Sequence, residues 1–170
     1  MIQKCSLLKV LEVFFKEPTN IHFIREIGRE IDLAATSTKN NINQLLKEGL
    51  IIEKKSKPFN GYVANRDNED FIFYKKAYNL FSLNKLKKIL NEELHPKSIV
   101  LFGSYSRGED IESSDIDLLI ISKVKKQIEL ESLEKELNRK ISIMILEDIN
   151  KLEENIIKKI YNGIVLSGEI

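Results

Sequence analysis

The 170-residue sequence has a single cysteine, so an internal disulfide is excluded. Cys5 and the histidines, His22 and His95, are scattered without the spacing of zinc ligands, which argues against a structural zinc site. No apolar run approaches the roughly 20 residues that a membrane helix needs. The first residues do not combine a basic region with an apolar block. These absences predict a cytoplasmic protein that does not associate with a membrane.

Internal repeats and low-complexity runs are also absent from the sequence. There is no Gly-x4-Gly-Lys phosphate loop, and no serine, histidine and acid stand in a context that favours nucleophilic catalysis. Hydrophobic residues make up 42% of the chain and charged residues 31%, which is typical of a folded protein. Residues 1–90 contain 16 Lys and Arg against 10 Asp and Glu, whereas residues 91–170 contain 11 against 16. This asymmetry indicates two parts with different roles, a basic part that suits nucleic acid and an acidic part that suits metal or is simply solvated.

The first 66 residues show the pattern of three helices followed by a β-hairpin. Apolar residues recur at helical spacing in three segments that are separated by Pro18 and by a short break at Asp32. Thr36 is expected to cap the third helix, and Gly49 stands where a helix commonly ends. Two short apolar segments, 50–55 and 61–65, flank a stretch rich in turn-forming residues.

This element order resembles the winged helix-turn-helix family, and the resemblance implies that the third helix reads nucleic acid. The side chains expected to face outward on that helix are Thr36, Ser37, Lys39, Asn40, Asn43 and Lys47, and the wing adds Lys54, Lys55, Lys57 and Asn60. Hydroxyl and amide groups reach base edges, while lysines neutralise phosphates. The alternatives are an ordinary polar helix face and a dimerisation module, so a homodimer is a further candidate.

Residues 67–95 are expected to form a helical linker between two domains. Phe71, Tyr74, Tyr78 and Phe81 share one helical face, which is typical of a core or of a subunit contact. Beyond the linker, residues 96–170 alternate between strand and helix patterns. Strands are expected at 98–102, 115–121, 140–146 and 164–166, and helices at 104–108, 127–138 and 148–161. The sequence therefore predicts an α+β protein of two domains, with a small α/β domain built on one mixed sheet at its C-terminal end.

The stretch from Gly103 to Asp117 carries the residues suited to chemistry. Gly103 and Ser104 follow a strand and open a short helix, where backbone N–H groups can meet a phosphate. Arg107 stands one turn later, within reach of a phosphate or of the acidic loop that follows. Ten residues separate Ser104 from Asp115, and Asp115 and Asp117 lie two apart, so that on a strand both carboxylates face the same side. Such a pair favours a hard divalent cation.

Gly103-Ser104 followed by Asp115-Ile116-Asp117, with Arg107, Gly108 and Ser114 between them, resembles the polymerase-β-type nucleotidyltransferase superfamily and most closely its minimal prokaryotic members. The resemblance implies that Asp115 and Asp117 bind two Mg²⁺ ions and act in catalysis. It implies that Gly103, Ser104, Arg107 and Ser114 bind a nucleoside triphosphate such as ATP. The reaction implied is transfer of a nucleoside monophosphate to an acceptor hydroxyl, with release of pyrophosphate.

One position departs from the family pattern, in which a later strand supplies a third carboxylate. Ser142 occupies that position in the strand at 140–146, and serine is a poor Mg²⁺ ligand. Glu147 is a substitute if the strand bends. The sequence therefore leaves two functions open: a nucleotidyltransferase with a nucleic-acid-binding module, or a DNA-binding regulator whose degenerate transferase domain is a nucleotide sensor or scaffold. An antitoxin role, with a toxin as partner, is a third reading.

Overall fold

A computed structural model of the chain describes residues 5–55, 58–148 and 154–169. It divides into two units, Met1–Lys75 and Lys76–Ile170, and the division falls inside the helix Glu69–Ser82. Within the described residues, no helix combines the length and the hydrophobicity needed to cross a membrane.

The first unit contains three helices and a hairpin in the predicted order. These are α1 (Ser6–Lys16), α2 (Ile24–Glu30), α3 (Ala35–Lys47), β1 (Ile51–Lys54) and β2 (Gly61–Ala64). β1 and β2 pair antiparallel, with Ile51 opposite Ala64, and an isolated bridge joins His22 to Tyr62 beside the hairpin. The apolar faces of the helices form the core, which includes Val10, Phe14, Ile27, Ile42 and Leu45.

The connection between α2 and α3 is tight: it packs closely against Gly28 of α2 and reverses direction at Asp32. A Cβ atom on Gly28 would lie 2.8 Å from the Leu33 carbonyl oxygen and 3.2 Å from Thr38 Oγ1. Asp32 adopts the left-handed conformation, with φ of 53°. The prediction that Thr36 caps α3 was wrong. The cap is Ala34, whose carbonyl accepts a hydrogen bond from the Thr38 hydroxyl at 3.1 Å, so Thr36 already lies in the first turn.

The second unit is built on one four-stranded sheet. Its elements, together with the helix that spans the division, are α4 (Glu69–Ser82), α5 (Asn84–Leu94), β3 (Ser98–Phe102), α6 (Gly103–Arg107), β4 (Ile116–Ile121), α7 (Glu131–Leu137), β5 (Ile141–Leu146), α8 (Glu154–Tyr161) and β6 (Ile164–Gly168). The strand order is β5-β4-β3-β6. β3 is antiparallel to both of its neighbours, whereas β4 and β5 are parallel. The small mixed sheet that the sequence predicted is therefore present.

Helices cover both faces of this sheet, because alternate residues of each strand are apolar on both sides. On one face, Ile99, Leu118 and Ile120 belong to a core with α5 and α7. On the other face, Val100, Leu119 and Ile121 pack with Ile160 of α8. Residues 84–94, placed by the sequence in the linker, are thus part of the second unit: Leu86, Leu90 and Leu94 are buried there.

Some helix boundaries differ from the predicted ones. α7 begins at Glu131 rather than 127, because Ile128 and Leu130 pack against the core from a non-helical segment. The described part of the last helix begins at Glu154, and positions 149–153 of the predicted helix lie outside the described residues. The aromatic residues predicted to share one face of α4 differ in how deeply they are buried. Phe71 is buried against Phe15, whereas Phe81 is 72% exposed.

Candidate functional site

Gly103 lies directly beside the Asp117 carboxylate. β3 ends at Phe102, which is paired across the antiparallel ladder with Asp117, so the carboxylate lies beside the turn into α6. Gly103 has a φ of 76°, and a Cβ atom at this position would lie 2.4 Å from Asp117 Oδ2. Both observations require glycine, because other residues meet strain at this φ and a side chain would displace the carboxylate.

Asp115 and Asp117 concentrate negative charge at the start of β4. Asp115 precedes the strand and is exposed, whereas Asp117 is half-buried on it. Burial raises the pKa of Asp117, and the neighbouring Asp115 raises that pKa further. The ammonium group of Lys159, on α8, lowers it. The pair is thus an incompletely neutralised anionic site.

Short hydrogen bonds hold the turn around Gly103. Its carbonyl oxygen accepts from Ser106 Oγ at 2.8 Å and from Arg107 Nη1 at 3.1 Å. Arg107 Nε also donates to Glu109 at 2.7 Å, so this predicted phosphate ligand contacts the acidic loop in the structure. Ser104, half-buried in the first turn of α6, lies directly after Gly103.

Ser114 supports the loop that leads to the carboxylate pair. Its hydroxyl accepts a hydrogen bond from the Ile111 backbone N–H at 2.9 Å, and its own N–H donates to the Ile111 carbonyl at 3.0 Å. These bonds close a turn over residues 111–114, immediately before Asp115. The structure therefore gives Ser114 a positioning contact one residue away from the pair.

Ser142 lies beside Asp117 on the neighbouring strand. β4 and β5 are parallel and in register, and Ser142 is the direct partner of Asp117. Both side chains belong to the face that α8 covers, since residues two and four positions further along each strand pack there: Leu119, Ile121, Met144 and Leu146. Ser142 is exposed. Neighbouring strands lie about 4.8 Å apart, so no other residue of β5 is closer to the Asp117 backbone.

The structure places Glu147, the suggested substitute for the missing carboxylate, away from the carboxylate pair. β5 stays in register with β4 from Ile141 to Leu146 and does not bend toward the carboxylate pair. Glu147 follows the far end of the strand, five residues beyond Ser142, which at about 3.3 Å per residue is roughly 16 Å away. There it forms an exposed ion pair with Lys125 at 3.1 Å.

Comparison with known proteins decides which family this geometry belongs to. Residues 83–166 match the family of nucleotidyltransferase domains. The putative protein adenylyltransferase MJ1379 of Methanocaldococcus jannaschii is 41% identical over 75 residues, which cover 40% of this chain and 75% of that relative. The chain belongs to the nucleotidyltransferase domain family. Two further putative protein adenylyltransferases of the same organism, MJ0128 and MJ1217, are 58% and 60% identical over 38 residues, or 22% of this chain and 39% of each relative.

The donor set of the nucleotidyltransferase domain fits one divalent cation. Asp115 and Asp117 supply carboxylate oxygens, and Mg²⁺ is commonly held by one or two carboxylates together with substrate phosphates. Gly103 keeps the Asp117 carboxylate beside the first turn of α6, where the phosphates are expected. Across residues 5–55, 58–148 and 154–169, however, no three His, Cys, Asp or Glu side chains come together as a metal site. Within those residues, no third carboxylate joins the pair to hold a second ion.

A buried polar network in the nucleotidyltransferase unit escaped the sequence analysis. Asp110 accepts a hydrogen bond from Asn79 Nδ2 at 2.8 Å and forms an ion pair with Arg139 at 3.6 Å. Asn79 also donates to the Tyr105 carbonyl at 2.9 Å. All three polar side chains are buried. The network joins α4, α6, the loop before Asp115 and the segment that leads into β5, so it ties together the segments that carry the site.

Burial and a hydrogen bond also fix Tyr105, beside that network. Its hydroxyl is 2.9 Å from Ser82 Oγ, and burial raises the pKa of Tyr105 to about 12. Neither this residue nor Lys159 carried a sequence signal, because each acquires its role only when distant helices pack together. The only related prediction for Lys159 is indirect. The sequence predicts an apolar face on its helix, and Lys159 does not belong to that face.

In the first unit, the outward positions predicted for α3 are exposed without exception. They are Thr36, Ser37, Lys39, Asn40, Asn43 and Lys47. Lys54 and Lys55 of the hairpin are exposed as well, and Asn60 donates a hydrogen bond to Glu53 at 3.0 Å. Lys57 lies outside the described residues. These positions form a polar, lysine-containing surface on one helix and the adjoining hairpin.

Proposed function

We propose that the second unit binds a nucleoside triphosphate together with Mg²⁺ and transfers a nucleoside monophosphate to an acceptor hydroxyl. The names of the relatives make ATP the first candidate donor and a protein side chain the first candidate acceptor. The observation that carries the proposal is the contact of the Asp117 carboxylate with Gly103 at the first turn of α6. This contact places the carboxylate pair next to backbone N–H groups that a phosphate can reach.

Each residue of the site has a distinct part in this reaction. The backbone at Gly103 and the hydroxyl of Ser104 contact the triphosphate, because no side chain at 103 blocks the approach. Asp115 and Asp117 hold the cation. When bound, Mg²⁺ supplies charge neutralisation for the carboxylates and for the phosphates. The acceptor oxygen forms a bond to the α-phosphorus as the bond to pyrophosphate breaks, and the hydroxyl proton passes to solvent.

Thermal unfolding with and without nucleotide tests the binding step. ATP at a hundred times its dissociation constant stabilises the folded state by about 2.7 kcal/mol. For a chain of this size, that raises the melting temperature by roughly 5–11 °C, at about 2–4 °C per kcal/mol. We expect this increase only when Mg²⁺ is present, and we expect the Asp115→Asn/Asp117→Asn variant to lose it. An equal increase in the variant would refute the assignment of the carboxylate pair.

Label transfer tests the chemical step separately. The purified chain is incubated with Mg²⁺, ATP labelled at the α-phosphate, and proteins of a cell extract. Label on protein that the Asp117→Asn variant does not produce supports transfer. Labelling that is equal in both samples would show that this site does not catalyse it.

We also propose that the first unit is a winged helix that binds nucleic acid. Support comes from the element order, from the tight turn at Gly28 and from the exposed lysines of α3 and β1. Phosphate contacts make such binding sensitive to salt. In gel-shift titrations on duplex DNA, Lys39→Ala/Lys54→Ala is expected to weaken binding and to lower the salt slope by about one for each lost phosphate contact. Binding unchanged from wild type would refute this interface.

Ser142 favours a second candidate function, in which the chain is a DNA-binding regulator and its transferase domain senses nucleotide. A neutral hydroxyl beside Asp117 leaves the domain able to bind nucleotide while transfer is slow. The two functions differ in measurable ways. The regulator binds duplex DNA with an affinity that depends on nucleotide and does not label protein, whereas the transferase labels protein.

A further inference from the structure

We infer that the nucleotide site holds one divalent ion, the one that accompanies the triphosphate, and that Ser142 sets this limit. The inference rests on the proposed nucleotide binding and deepens it, because it fixes the metal content of the bound state. Ser142 is the register partner of Asp117 and lies on the same face of the sheet. It therefore occupies the place from which β5 would add an anionic ligand to the pair.

Ligand chemistry explains why a serine at position 142 limits the site to one divalent ion. Mg²⁺ loses its water ligands reluctantly and is held by carboxylates and phosphates. Asp115 and Asp117 together with a triphosphate meet this need for one ion. A second ion would have to share the same two carboxylates, while the adjacent strand offers it a neutral hydroxyl. The strand spacing of about 4.8 Å puts position 142 within reach of such an ion, so the deficiency is chemical and not one of distance.

No other described residue compensates for the serine. Glu147 lies at the opposite end of β5 and is paired with Lys125. The described part of the chain contains no group of three candidate metal ligands.

Direct counting of Mn²⁺ tests the inference without any measurement of activity. The full chain is titrated with Mn²⁺ at saturating, non-hydrolysable α,β-methylene-ATP, and free Mn²⁺ is measured by electron paramagnetic resonance. We expect one bound ion per wild-type chain and two per chain for Ser142→Asp. Ser142→Asn, similar in size to the aspartate but uncharged, is the matched control and is expected to keep one ion.

Each outcome decides a separate point. Two ions on the wild-type chain would overturn the inference while leaving the proposed function intact. One ion on a folded Ser142→Asp chain would show that position 142 does not set the limit. A wild-type chain that retains no nucleotide analogue would instead refute the proposed function. Far-ultraviolet circular dichroism establishes that each variant is folded, and if Ser142→Asp does not fold, Ser142→Glu replaces it while the wild-type count still tests the one-ion limit.

Discussion

Replacing Gly103 with alanine tests how closely the phosphate turn and the carboxylate pair depend on each other. Gly103 has a φ of 76°, and a left-handed conformation costs an L-residue roughly 1–2 kcal/mol. The added Cβ atom would lie 2.4 Å from Asp117 Oδ2, so the carboxylate must move. Overpacking of this kind adds about 1–3 kcal/mol. We therefore expect Gly103→Ala to lower the free energy of unfolding by about 2–5 kcal/mol.

A second glycine separates the two contributions. Gly49 has a φ of 71°, and a Cβ atom there would be no closer than 3.4 Å to another atom, the Asn68 Nδ2. Gly49→Ala should therefore show the backbone cost alone, about 1–2 kcal/mol. In an Asp117→Ala background the clash disappears, so the cost of Gly103→Ala should fall by about 1–3 kcal/mol.

Urea denaturation measured by circular dichroism gives the stability of each variant, and titration with Mg²⁺ and ATP gives its affinity. We expect Gly103→Ala to lose nucleotide affinity, because the displaced carboxylate no longer holds the ion beside the phosphates. Gly49→Ala should bind as the wild-type chain does. The reasoning is refuted if Gly103→Ala costs no more than Gly49→Ala and retains full nucleotide affinity.

Other substitutions test the electrostatics of the same unit. Because burial and Asp115 raise the folded-state pKa of Asp117, its ionisation destabilises the fold as pH rises from the ordinary value of 3.8 through the raised one. Asp117→Asn should thus raise the melting temperature at pH 7 and show no gain below pH 3.8; equal gains at both pH values would contradict this. Asp110→Ala leaves the buried Arg139 without this carboxylate and should cost about 3–5 kcal/mol in urea denaturation, whereas Glu109→Ala, which breaks an exposed pair, should cost about 0–1 kcal/mol. A spectrophotometric titration should show one tyrosine that ionises only near pH 12. This titration step should be missing in Tyr105→Phe, and a step that persists in that variant would belong to another tyrosine.

Local spacing predicted much of the candidate site, because its parts are close in sequence. Gly103 directly follows β3 and Asp117 lies on β4, so the antiparallel pairing of these two strands brings them together. Position 142 was assigned from the family resemblance, which places a third carboxylate on a later strand. The period of two fixes which residues share a face, and the parallel register then aligns Ser142 with Asp117.

What the sequence did not reveal depends on packing between distant segments. Asn79, Asp110 and Arg139 are separated by about 30 residues each, and as single polar residues they carry no periodic signal. The start of α7 was misplaced because Ile128 and Leu130 are apolar at a spacing that an extended segment also satisfies. At α3, Ala34 rather than Thr36 is the cap, and no side chain caps the helix, so the usual preference for a hydroxyl at this position did not apply.

The position of β3 inside the sheet has a consequence for synthesis of the chain. This strand leads into Gly103, and it needs β4 on one side and β6 on the other. β4 follows within 20 residues, but β6 ends at Gly168, 66 residues after Phe102. At about 5–20 residues per second, translation leaves the β6 edge of this strand open for roughly 3–13 s. The sheet that supports Gly103 is therefore completed late, after nearly all of the second unit has been made.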